Sequence, residues 1–322
     1  MDVNRQNLER IREQFSRLFF EALDANQNQG RQFVESLGRI VPSTASKETY
    51  MWMVRTGGLR KFEGERVLNR FKSHSLTIEA DEYEDSLTVD FADIEKDRLG
   101  LHAPGIASMA EGVYWHYAVL FTELLENGWD NLCYNGENFF SSAHPNPEAA
   151  PEAASAPATF SNTTDLELSV DSFRAMRQAP TKIVDRNGRR RGVKYDTLFV
   201  PTELTEKAES LNNDEYLLKD PADPTQGSYK NPVRGQFDEI VEMEYTSPSA
   251  SSKYWATDSR YVNQIPPLLL QLVKSPDYSA VTNPEDFQVW NSRKQYHGTH
   301  CEHGAGYGLP HAIFGGTGTV TP

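Results

Sequence analysis

The stretch PGIASMAEGVYWHYAVLFTELLENG, residues 104–128, carries the strongest helical signal in the chain. Ile106, Ala110, Val113, Tyr117, Leu120, Phe121 and Leu124 recur at the spacing that lines one face of an α-helix. Pro104 stands in the first turn, where a missing N–H costs nothing, and Asn127-Gly128 offers a left-handed stop. A helix over 104–127 runs roughly 35 Å at 1.5 Å per residue, well beyond the usual three turns. The rest of the chain is therefore arranged around a long beam.

Upstream, Leu8, Ile11, Phe15, Leu18, Phe19 and Ala22 predict an amphipathic helix over 3–24, ended by the polar run 24–30. A shorter apolar run from Phe33 to Val41 stops at Pro42. Such a leading segment packs on the body or lies along another chain. Leu76, Ile78 and Ala80, then Leu87, Val89 and Phe91, alternate with polar residues on either side of Asp81-Glu82-Tyr83-Glu84-Asp85. That predicts a β-hairpin with an acidic tip and no sheet of its own to join, so it projects.

Downstream, residues 145–162 are rich in Pro, Ala and Ser and read as a surface loop or linker. A short helix is expected near 170–178, a hairpin turn at Arg186-Asn187-Gly188, and a strand at 197–200 leading into a helix capped by Thr202. Alternation at Val241, Met243 and Tyr245, and again at Phe287 and Val289, adds strands. Mixed strands and short helices make the body α+β.

The chain has 322 residues, 38% of them hydrophobic and 24% charged, and a formal charge of −14. No run is apolar enough for a membrane span, and the polar start does not read as a signal peptide, so residence in a cytoplasm is expected. Two cysteines, Cys133 and Cys301, are too few for a disulfide framework. Net acidity argues against a protein whose main work is gripping phosphate.

Residues with evident chemistry are few. Gly304, Gly306 and Gly308 lack the spacing of a phosphate-binding loop, and read better as a Gly-rich turn between strands. His297, His300, Cys301 and His303 are four possible metal donors close in sequence, weighed against a structural or merely exposed role. Arg189-Arg190-Arg191 reads as a solvated hairpin tip, with DNA or a partner's carboxylates as the alternative. Catalytic motifs are lacking, so no catalytic residue, cofactor or metal ion is expected.

One stretch gives the weighting its direction. Gly128-Trp129-Asp130-Asn131-Leu132-Cys133-Tyr134-Asn135-Gly136-Glu137-Asn138-Phe139-Phe140, followed by Ala143-His144-Pro145, resembles the signature of the Mu-like phage major head subunit family. There, a long helix ends in glycine, a Cys-Tyr-Asp-Gly turn, paired phenylalanines and His-Pro. Asn135 departs from the usual Asp, and Ser141-Ser142 replace a position that is commonly acidic. Trp52 with Gly57–Phe62 and Gly64–Arg66, Asp93–Gly100, Asp196–Pro201, and Gly304–Gly308 with Phe314–Gly316 resemble further family segments in the same order.

The resemblance implies the Hong Kong 97-type capsid fold. It divides the chain into an N-terminal arm (1–49), an extended loop with hairpin (50–100), a peripheral domain with a spine helix (101–150), an axial domain (151–274) and a return to the peripheral domain (275–322). It implies a major capsid protein of a tailed bacteriophage, not an enzyme, self-assembling into hexamers and pentamers of an icosahedral head around double-stranded DNA. Expected partners are copies of itself, a scaffold or protease, the portal, and packaged DNA without specific binding. The expected place is the virion capsid, assembled in the bacterial host cytoplasm, with no membrane. Phe15 and Phe19 of the arm and Leu76, Ile78, Leu87, Val89 and Phe91 of the hairpin are the expected subunit contacts. Two alternatives remain, an encapsulin-like compartment shell and a metal-dependent enzyme using the His297–His303 cluster.

Overall fold

The computed structural model describes residues 4–53, 73–96, 98–146, 156–185, 187–219, 224–264 and 266–319. The chain opens with α1 (Arg5–Leu37), β1 (Gly38–Pro42) and β2 (Lys47–Met53). It continues with β3 (Ser73–Glu79), β4 (Asp81–Asp90), the short α2 (Phe91–Glu95) and the long α3 (Ala103–Glu126). β5 (His144–Pro145), β6 (Thr159–Phe160), β7 (Thr163–Thr164) and α4 (Val170–Gln178) lead to β8 (Thr197–Pro201) and α5 (Thr202–Asn213). Next come β9 (Tyr216–Leu218), β10 (Ser228–Lys230), β11 (Glu239–Met243), β12 (Tyr254–Thr257) and α6 (Ser259–Gln264). β13 (Leu268–Val281), α7 (Phe287–Ser292), β14 (Lys294–Tyr307) and β15 (Ile313–Gly316) close the chain.

Two sheets carry the architecture, one in the order β1-β13-β14-β4 and one in the order β11-β8-β12-β15-β7. β13 and β14 form a long antiparallel hairpin in the first. The helix α3 buries Ile106, Met109, Ala110, Val113, Tyr117, Phe121 and Leu125, and α1 runs along it. One core joins Val34 and Leu37 of α1, Tyr117 and Phe121 of α3, Phe139, Phe140, and Phe199 and Trp255 of the second sheet. A second core lies among α4, α5 and the five-stranded sheet, around Phe173, Leu198, Ala208 and Phe314. A third joins Leu8, Ile11, Phe15 and Phe19 to Val89, Phe91, Ile94, Ile106 and Val289.

Several expectations are corrected. The helix expected over 3–24 does not stop at the polar run but continues to Leu37. Gly30 lets it: a Cβ there would be 2.5 Å from Cβ of Tyr114, so glycine permits α1 and α3 to touch. The exit of α3 is not left-handed, since Asn127 has φ −93°; Phe140 instead folds back, its N–H donating to the Gly128 carbonyl at 2.8 Å. Thr202 does not cap α5; Pro201 is the capping position. The alternation at Phe287 and Val289 belongs to the one-turn helix α7, which buries Val289 alone.

The largest correction concerns the hairpin. β3 does not pair with β4. It pairs antiparallel with β2, Lys47 opposite Glu79 and Tyr50 opposite Leu76, while β4 pairs with β14 along the edge of the four-stranded sheet. The acidic run 81–85 is thus edge strand and not a turn. Exposed charges suit that position, because they discourage pairing by another strand. The sheets also cut across the expected divisions: residue 274 falls inside β13, and β15 pairs within the five-stranded sheet.

Candidate functional site

Among the described residues the β2–β3 ribbon is a sheet of two strands, braced by Lys47–Glu79 (3.3 Å) and by the Thr49 and Thr77 hydroxyls (3.1 Å). Two strands are marginal in water and need a surface to lie on. The root of the ribbon has one. The Ala80 N–H donates to the Ser46 carbonyl at 2.7 Å, and β3 crosses β14 where glycine removes the obstruction. A Cβ on Gly304 would strike the Glu79 carbonyl oxygen, and one on Gly306 would lie 2.8 Å from Cγ1 of Ile78. The glycines at 304 and 306 are therefore strand positions under a crossing strand, a correction to the turn expected there.

Of the seven expected contact residues, the chain itself buries Phe15, Phe19, Ile78, Val89 and Phe91. Leu76 and Leu87 are half-buried. Other apolar side chains face water: Phe287 at 76% and Trp290 at 68% on α7, with rings 6.2 Å apart, and Tyr216, Leu218 and Tyr229 on the β9–β10 ribbon. Isolated exposed apolar residues are ordinary; the Phe287–Trp290 pair differs in that two exposed rings lie side by side on one short helix. Residue pattern alone does not reveal them, because exposure depends on what the rest of the chain leaves open. Gly57–Phe62 and Gly64–Arg66 lie outside the described residues.

The His/Cys group is spread by strand geometry. On β14, His297, Cys301 and His303 point into the structure and are buried, while His300 points the other way, towards Lys274 (2.9 Å) and Glu82 (3.7 Å). His297 is joined to the Tyr278 hydroxyl through Nδ1 at 2.6 Å, and burial holds its pKa down at about 4. Burial pushes the Cys301 thiol up to about 11, so it is a thiol and not a thiolate. Among the described residues no three or more His, Cys, Asp or Glu side chains gather as a metal site requires. The basic triplet is also split: Arg189 and Arg190 are exposed beside Gly188 (φ 73°), whereas burial lowers the pKa of Arg191, whose carbonyl accepts from Tyr261 Oη. No helix among the described residues is long and apolar enough to cross a membrane.

Residues 8–167 match the family model described as Mu-like prophage major head subunit gpT. The chain is 28% identical over 109 residues to the major capsid protein of Escherichia phage Mu, covering 34% of this chain and 36% of that one. It is 29% identical over 114 residues to the Mu-like prophage FluMu major head subunit of Haemophilus influenzae, covering 35% and 37%. The matched stretch thus spans little more than a third of either relative. Among solved structures, a chain of the bacteriophage JBD30 procapsid superposes with a TM-score of 0.55 at 20% identity, over 97% of this chain and 75% of its own. A chain from the capsid of an empty GTA particle gives 0.50 at 10% identity, over 88% and 89%. At such identities a likeness shows fold alone, and here it is the α+β Hong Kong 97-type capsid fold.

Proposed function

We propose that this chain, which belongs through residues 8–167 to the Mu-like prophage major head subunit family, is the major capsid protein of a tailed bacteriophage. It works by packing and not by catalysis. Copies meet head to tail through two different patches, and the rotation closes into hexamers and pentamers of an icosahedral head. Each contact is weak alone and the assembly is held by their number. Partners are copies of itself, then a scaffold or protease and the portal, with double-stranded DNA enclosed but not specifically bound. Its place is the virion capsid, assembled in the host cytoplasm.

The observation that carries the reading is the family match over residues 8–167, shared with the major capsid protein of Escherichia phage Mu; the likeness to the JBD30 procapsid chain across 97% of this chain supports the fold that the reading needs. In this scheme α1 is the arm, β2–β3 the extended loop, α3 the spine, and the five-stranded sheet with α4 and α5 the axial body. Leu76 and Leu87 keep open surface for a neighbour; the five buried residues act by shaping the elements that reach it. Negative-stain microscopy of the purified protein tests the proposal. Rings or closed shells are expected, and a subunit that stays monomeric at every concentration and salt tried overturns it.

A further inference from the structure

Tyr83 on β4, His303 on β14, and His116 and Tyr117 on α3 meet in one aromatic cluster. His303 lies flat on Tyr83, with centroids 4.4 Å and planes 24° apart, and meets Tyr117 at 4.7 Å and His116 at 5.1 Å edge-on. Tyr83 also touches His116, at 4.4 Å. His303 is 1% exposed, and neither of its ring nitrogens has a protein hydrogen-bond partner among the described residues. His116 is half-buried, with Nε2 turned inward and likewise unpartnered. A neutral imidazole tolerates such a site; an imidazolium does not.

The cluster sits at the root of the β2–β3 ribbon. His303 is the register partner of Asp81, and the next residue, Gly304, lies under the Glu79–Ala80 bend. We propose that the His116–His303 pair is an acid-sensitive latch, which holds this root against α3 when neutral and releases β4 from the sheet edge when protonated. The facing titratable groups are Asp81 and Tyr83 on β4, Cys301 on β14, and Tyr117 and Glu123 on α3. Neither carboxylate makes an ion pair with either histidine among the described residues, so a cation formed in the closed latch finds no partner in contact, and opening gives it water.

Burial lowers the pKa of both histidines, that of His303 to about 3, and His116 adds to the depression at His303. A histidine depressed in the closed form binds its proton preferentially in the open form. The latch is therefore intact above the ordinary histidine range and weakens as pH falls through about 6.5, by up to about tenfold per pH unit for each histidine. In the shell reading the released ribbon is the element that reaches a neighbour; only that consequence rests on the reading.

Hydrogen exchange on isolated full-length subunits, corrected for intrinsic rates, tests the latch without any assembly. Between about pH 7 and about pH 4, protection across residues 76–90 should fall at least about tenfold while β8 and β12 keep theirs. The double variant His116→Phe with His303→Phe should keep residues 76–83 protected across that range, any loss left at residues 84–90 belonging to His297, which lies opposite Leu87. The same acid-driven loss in that variant, or no loss in the native protein, overturns the proposal. Should the variant not fold, imidazole NMR of the native subunit decides: the two rings must titrate together with the loss of protection, and titration in the ordinary range with residues 76–90 still protected overturns it.

Discussion

The carboxylate of Glu126, on the last residue of α3, accepts two hydrogen bonds from Ser247, one from its N–H and one from its hydroxyl, both at 2.6 Å. Lys253 adds a third tie, donating from Nζ to the Glu126 carbonyl at 2.8 Å while lying 4.9 Å over the Trp129 ring. The end of the long helix is thereby fixed to the turns between β11 and β12. Glu126→Gln turns one accepting oxygen into a donor facing a donor. The expected loss is about 1–3 kcal/mol, read as a lower urea midpoint at unchanged slope. An unmoved midpoint would show that the tie contributes nothing.

Gly304 is the second test, because its lack of a side chain is what lets β3 cross β14. Gly304→Ala places a methyl against the Glu79 carbonyl oxygen, and backbone cannot swing aside as a long side chain can. A loss of about 1–3 kcal/mol is expected, with chymotryptic cutting newly exposed around residues 76–83. Stability equal to the native protein, with no new cutting, would mean that the crossing is looser than described.

Much of this was legible in the sequence, and what was not has identifiable causes. The long helix and α4 follow from periodicity, since each buries one continuous face, whereas the strand at 197–201 follows from its apolar run and is buried at every position. The hairpin did not, because alternation tells which residues share a face and not which strand lies alongside. Leu76, Ile78 and Ala80 alternate in even register, and Tyr83, Leu87 and Val89 in odd. That change of parity at Ala80 marks the bend where the chain leaves β2 and joins β14. Gly30 looked like a helix stop because the partner that needs it, Tyr114, lies far along the chain. The surface aromatics at 287 and 290 were invisible for the same reason.

His297 makes the fold sensitive to acid at a second place, under α1, where Phe15 meets its ring at 5.2 Å. Its pKa is depressed from the ordinary 6.5 to about 4, chiefly by burial. The unfolded chain therefore takes up the proton first, and the stability this site supplies is whole above about 6.5 and is lost as pH falls from there to about 4. The loss is up to about 3 kcal/mol, an order-of-magnitude figure. Urea unfolding at about pH 7 and about pH 4.5 should show a smaller drop for His297→Gln than for the native protein. An equal drop in both would assign the acid sensitivity elsewhere.

Leu76 on the ribbon and Leu87 on β4 should matter for assembly and little for folding. Leu76→Ser with Leu87→Ser removes apolar surface from half-buried positions, so the expected cost to the subunit is about 1 kcal/mol or less for each. Assembly should suffer far more, because the same loss is repeated at every contact of a ring. Sedimentation of the native and variant proteins at matched concentration separates the two effects. A variant that folds and assembles like the native protein would remove both positions from the interface.

Charge sets the last expectation. At −14 per chain, copies brought together repel, and exposed charges feel one another over a Debye length of about 8 Å at physiological salt. Apolar contacts such as those offered by Phe287, Trp290 and the β9–β10 ribbon are not weakened by salt, whereas the repulsion is. Raised ionic strength should therefore promote assembly of purified subunits, and low salt should shift rings towards free chains. Light scattering across a salt series at fixed protein concentration reads this directly. A subunit held mainly by ion pairs between neighbours would show the opposite slope, since screening weakens attraction of that kind. Arg189 and Arg190, exposed beside the Gly188 turn, are the residues to neutralise first should scattering fall as salt rises.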